Sequence, residues 1–98
     1  MNQIHNLPIR ALKAIEDLSK ITHLEADVNY TRIHLSDGRL QTLSCTLKSF
    51  EGLVSNHNFI RIHRSYMVNE DFILVKGHFD IVMKSGIRLP IARRGRAD

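Results

Sequence analysis

Apolar residues recur along much of this chain at every second position, broken by short polar clusters, and a period of two belongs to extended strands. Residues 21–26 have the density of a buried strand. Asp27-Val28-Asn29 interrupts it as a loop, and residues 30–35 resume the alternation with Ile33 and Leu35 on one face. Ser36-Asp37-Gly38-Arg39 predicts a hairpin, because Asp-Gly between two extended runs accepts the backbone of a tight turn. Residues 40–43 are then the returning strand. Over 46–54 the period changes. Leu47, Phe50 and either Leu53 or Val54 fall at i, i+3 and i+6 or i+7, with Ser44 or Thr46 as N-cap, which predicts one short amphipathic helix. Residues 55–58 end it, and extended segments return over 59–69, 71–75, 79–83 and 87–91, with turns at Lys76-Gly77-His78 and Lys84-Ser85-Gly86. Residues 10–20 stay open between helix and strand. Ala11, Leu12, Ala14, Ile15 and Leu18 sit near helical spacing, but an extended Leu7-Pro8-Ile9 precedes them. The sum is a mainly β fold of six to eight short strands around one short α-helix, without internal repeats.

The run FIRIHRSYMVN over 59–69 departs from plain strand chemistry. Phe59, Arg61 and His63 point one way and Ile60, Ile62 and Arg64 the other, so both faces begin apolar and finish cationic. Where a core strand would hand over to Gly, Asn or Pro, this one ends in His63-Arg64-Ser65, donors suited to phosphate oxygens or guanine edges. Arg64 is costly to bury without a partner, so it is read as exposed and facing a ligand. His63 is open between a contact role and a structural one in which its ring nitrogens bond nearby backbone, with the structural role ahead.

Ninety-eight residues suit one domain with one core. The 43% hydrophobic content, with few Pro and Gly, describes a folded chain. A single Cys, Cys45, excludes an internal disulfide framework and a multi-Cys zinc site, and a reducing cytoplasm is expected. Neither a signal peptide nor a membrane span is legible. Net charge is +4, and its distribution is informative. Residues 1–56 balance six Lys/Arg against six Asp/Glu, whereas residues 57–98 hold eight against four. Arg93, Arg94 and Arg96 are the densest basic point, and a polyanion partner follows, with a solvated basic tail as the plain alternative.

Catalytic chemistry is thin. Ser65 and His63 share a side of an extended chain, so a hydrolase pair is conceivable, but no third orienting group or nucleophile elbow accompanies it. The six His residues lack the short paired spacings of a zinc or iron site, and no Gly-rich phosphate loop exists. No cofactor and no small-molecule substrate are expected. Cys45 reads as a buried inert thiol before a redox sensor. Tyr30 suits base stacking and a half-buried strand position equally.

FIRIHRSYMVN closely resembles the signature of the LytTR DNA-binding domain. Three further segments resemble that family in the same order: LEADVNYTRIHLSDG over 24–38, TLKSFEGL over 46–53 and LPIARR over 89–94. The resemblance is clearest over 21–94, within one domain taken as 1–98. It implies small antiparallel sheets with one short helix, meeting duplex DNA through loops between strands inserted in major grooves. Carried over position by position, it implies base contacts from Arg64, Arg93, Asn29, Tyr30 and Thr31. Phosphate or supporting contacts are implied for His63, Ser65, Lys48, Arg94 and Arg96. Arg64 and Arg93 are the first choices for base readout, since a guanidinium can bond O6 and N7 of guanine together. Asn69 has a turn or strand-end role. Ala92 stands where relatives often have Ser, so one hydroxyl contact is missing. No phosphoacceptor receiver sequence accompanies the matching residues, which leaves a stand-alone regulator and a fragment of a larger one both open, with the initial Met and untagged ends leaning toward a complete product.

The resulting expectation is a bacterial cytoplasmic transcription regulator, not an enzyme, that binds double-stranded DNA at repeated sites as two copies. The rival reading is a small basic β adaptor docking an acidic protein partner with the same rim. Sequence discrimination between duplexes separates the two.

Overall fold

The period of two becomes a five-stranded antiparallel sheet and a separate three-stranded one. The computed structural model describes residues 18–54 and 57–92. After a 3-10 turn at Leu18–Lys20 come β1 (Ile21–Asp27), β2 (Tyr30–Leu35), β3 (Leu40–Leu43) and the helix α1 (Leu47–Val54). Then follow β4 (Phe59–His63), β5 (Tyr66–Asn69), β6 (Ile73–Lys76), β7 (Asp80–Met83) and β8 (Arg88–Pro90). The larger sheet has the order β3-β2-β1-β5-β4 and the smaller β6-β7-β8. Residues 10–17, part of the undecided segment, and Ser55 and Asn56 lie outside the described residues.

Local chemistry sets the boundaries. The Asp-Gly hairpin forms as predicted. Gly38 supplies a φ of +91°, which a Cβ would oppose, and Asp37 accepts from the Arg39 amide at 2.9 Å. Thr46 is the cap of α1, its Oγ1 accepting from the Ser49 amide at 3.1 Å. Along the helix Leu47, Phe50 and Val54 are buried, the i, i+3 and i+7 stripe. The extended segment predicted over 71–75 is corrected. Asn69 Oδ1 accepts from the Asp71 amide at 3.0 Å and closes a 3-10 turn at Glu70–Phe72 first, so β6 starts at Ile73. The same Asn69, buried, donates from Nδ2 to the Ile21 carbonyl at 2.8 Å.

The expected single core is divided by the larger sheet into two. On one face Ile21, Leu24, Ile33, Leu43 and Met67 pack with Leu47, Phe50 and Val54 of α1. On the other, Ile62 and Val68 pack with Ile81, Met83 and Leu89 of the smaller sheet. Strict alternation would put Ile21 and Leu24 on opposite faces. A register shift between Ile21 and His23 adds the residue that returns both to the helix side. Phe50, fully buried, anchors this layer, and truncation to Ala should cost about 3–5 kcal/mol.

Candidate nucleic-acid interface

β1 runs antiparallel to both β2 and β5, and β5 to β4. The end of the sheet where Asp27 pairs Tyr30 therefore also holds His63 paired with Tyr66. Two turns, Val28-Asn29 and Arg64-Ser65, leave this end side by side, joined where the Ala26 amide donates to the Ser65 carbonyl at 2.8 Å. β3 ends here too, since Leu43 pairs Thr31, so the corner into α1 and Lys48 shares it. From the smaller sheet the Ala92 amide donates to the Ile62 carbonyl at 2.8 Å, which brings Ala92 beside the same turn. Arg93, Arg94 and Arg96 themselves lie outside the described residues.

The Arg64-Ser65 turn is held by side chains. Arg61 donates from Nε to the His63 carbonyl at 2.8 Å, from Nη2 to the Arg64 carbonyl at 2.7 Å, and from Nη1 to Glu51 Oε1 of α1 at 2.6 Å. His63 Nδ1 accepts from the Ser65 amide at 3.0 Å. The carbonyls that a tight turn leaves over thus meet a planar fork of donors. What remains outward is the Arg64 side chain, exposed and without a polar partner among the described residues. His63 has the bracing role expected of it ahead of a contact role. Its bond goes to the Ser65 backbone and not to the Ser65 hydroxyl, which is not the pairing a serine nucleophile needs.

Asn29 is exposed and Tyr30 half-exposed on the neighbouring turn. Thr31 requires a correction: it is fully buried, and its hydroxyl donates to the Cys45 carbonyl at 2.8 Å. The inner-face alternation that buries Ile33 buries Thr31 as well, so its role is to fix the corner between β3 and α1 and not to touch a base. Lys48 is exposed, again without a polar partner among the described residues. The nearby acids are spent on cations, Asp27 on Arg32 at 2.7 Å and Glu51 on Arg61 at 2.6 Å, which leaves Lys48 and Arg64 as the local excess charge. Cys45 is buried, as expected, and burial pushes its thiol pKa up, with the Thr31 hydrogen bond opposing.

Sequence reasoning placed Arg61 only on a face. An Arg flanked by strand apolars needs a partner, a signal that asks for an acceptor without identifying Glu51. Val28 was also passed over. It is a β-branched residue at φ +56°, 86% exposed at the tip of its turn, a conformation that costs free energy for any residue with a branched Cβ. Among the described residues no group of three or more His, Cys, Asp or Glu could hold a metal ion, and no helix is long and apolar enough to cross a membrane.

Residues 14–98 match the family model of the LytTr DNA-binding domain. Over 57 residues, 53% of this chain, the sequence is 33% identical to the sensory transduction protein LytT of Bacillus subtilis strain 168. That alignment spans 24% of LytT, so the chain corresponds to about a quarter of this relative. Among solved structures, the LytTr DNA-binding domain of a proposed methyl-accepting/DNA response regulator from Bacillus cereus superimposes with a TM-score of 0.70 at 30% identity, covering 81% of this chain and 76% of that one.

Proposed function

This chain belongs to the LytTr DNA-binding domain family, and from that premise we propose that it binds duplex DNA through the turns gathered at one end of its larger sheet and so regulates transcription. The observation that carries the reading is the exposed Arg64 guanidinium, without a polar partner among the described residues, on a turn whose backbone is fixed by Arg61 and His63. A turn whose backbone is fixed before binding loses little backbone entropy on contact, and the exposed guanidinium fork it carries matches the two acceptors of guanine in the major groove. Arg93 is assigned a second base contact, with Asn29 and Tyr30 contributing from the adjacent turn. Lys48, Ser65, Arg94 and Arg96 supply phosphate contacts that fix register. The 98 residues act as one binding unit, and two copies occupy repeated half-sites.

Selection of duplexes from a random pool, followed by affinities on the selected and a random duplex, tests this. Arg64→Ala or Arg93→Ala should cost about 1–3 kcal/mol on the selected site and relax one base pair each. Arg96→Ala should weaken all duplexes alike and reduce the salt slope by about one. Equal loss on both duplexes for Arg64→Ala would sink base readout. A chain that selects no sequence at all would favour docking of an acidic protein.

A further inference from the structure

β4 is an outer strand of the larger sheet, and Ala92 lies beside it, tied there by the bond from its amide to the Ile62 carbonyl. Both border a cavity of about 420 Å³, lined by Ile60, Ile62 and Ile91 together with Arg61, His63, Arg64 and Ala92. That volume lies within the roughly 300–1,000 Å³ of small-molecule sites. Three isoleucines and Ala92 make its apolar side, and among the described residues no carboxylate lines it. Arg64 is the exposed member of the lining, and its guanidinium has no polar partner among the described residues. The guanidinium of Arg61, the other arginine there, is already spent on Glu51 and two turn carbonyls.

These features select a ligand by its chemistry. A neutral apolar molecule would fill the walls and leave the guanidinium unused. A cation would be repelled, and a small inorganic anion would forgo the three isoleucines. We infer that the cavity binds a small amphipathic monocarboxylate, its apolar body against Ile60, Ile62 and Ile91 and its carboxylate on the Arg64 guanidinium. Since that guanidinium is also assigned to a DNA base, ligand and DNA oppose each other's binding by the same factor. Only this second half rests on the DNA reading.

The test titrates the full chain without DNA, following backbone amide shifts, with octanoate, octan-1-ol and octylammonium below their micelle concentrations. Octanoate should perturb residues 60–64 and 91–92 and bind about tenfold more tightly than octan-1-ol, the worth of one charge-assisted hydrogen bond at a partly exposed site. Octylammonium should bind weakest. Arg64→Gln should bring octanoate level with octan-1-ol while both still perturb the isoleucines. Equal affinities in the unaltered chain, a perturbation centred elsewhere or none at all each overturn the site. Phenylacetate, run beside octanoate, assigns the preferred body as ring or acyl chain. In a second arm, saturating octanoate should weaken binding of the selected duplex; unchanged DNA affinity with octanoate still bound overturns the competition alone.

Discussion

Two hairpins close the same end of the larger sheet, each through two residues, and they are built in opposite ways. The β4–β5 turn is braced at every step: Arg61 bonds two of its carbonyls and Glu51, and His63 takes the Ser65 amide. The β1–β2 turn has one ion pair near its base, Arg32 to Asp27, and at its tip Val28 sits at φ +56° with its apolar side chain in solvent. One turn uses side chains to hold the backbone that carries an arginine. The other retains backbone strain and presents a β-branched side chain. Proximity at one end of a sheet therefore does not make two loops equivalent: the first has a braced backbone under an exposed guanidinium, the second a strained backbone under an exposed apolar side chain.

Of the effects that separate the two hairpins, the largest comes from acid, and it should fall on the β1–β2 side alone. His23 of β1 stacks on His34 of β2 with ring centroids 4.0 Å apart. Burial, then the neighbouring His34, lowers the pKa of His23 from 6.5 to about 4, with Glu25 opposing. The folded pKa lies below the unfolded one, so this stability is complete above the unfolded pKa and is lost as pH falls from about 6.5 towards about 4. The shift corresponds to about 3 kcal/mol, measurable by urea unfolding across that window. His23→Gln should remove most of the dependence; an unchanged pH profile in that variant would break the assignment to this pair. Next in size is Arg61→Ala, expected to cost about 2 kcal/mol of stability through the lost carbonyl bonds and the stranded Glu51. It should also weaken selected DNA although Arg61 touches none. Arg61→Lys keeps the charge toward Glu51 but not the fork, so a full rescue of DNA binding by Lys would show that charge, and not bracing, distinguishes the β4–β5 turn.

The contrast between the hairpins was only half legible in the sequence. Alternation in FIRIHRSYMVN located the β4–β5 turn and the exposed Arg64, because a period of two and the cost of burying a guanidinium are local facts. The brace was not legible, since Glu51 lies on a helix ten residues earlier in the chain and only the packing of α1 on the sheet brings it to Arg61. Thr31 was misread for a related reason. It follows the exposed Tyr30, but the inner face of β2 begins at Thr31, and the corner at Cys45 covers it. Register shifts at 21/23 and 61/63 change faces in ways that no count of alternating residues contains. Arg93, Arg94 and Arg96 keep their sequence-based assignment, outside the described residues. Arg64→Ala separates the legible part from the rest: stability should stay within about 0.5 kcal/mol while selected DNA is lost by the amount given above.

The smallest effect is the sharpest test of why the two turns differ. Val28→Asn should stabilise the chain by about 0.5–1 kcal/mol, because Asn tolerates the left-handed backbone that a branched Cβ resists. Urea midpoints at neutral pH, where His23 contributes fully, would read this directly. If Val28 is retained because its methyls meet a thymine methyl in the groove, the stabilised variant should bind the selected duplex more weakly and random duplex equally well. Strain would then be exchanged for contact at this turn, as bracing is for hydrogen-bond geometry at the other. If Val28→Asn gains stability and binds both duplexes unchanged, the β1–β2 tip lies clear of the bases, and sequence reading belongs to the braced turn and the arginines that follow Ala92.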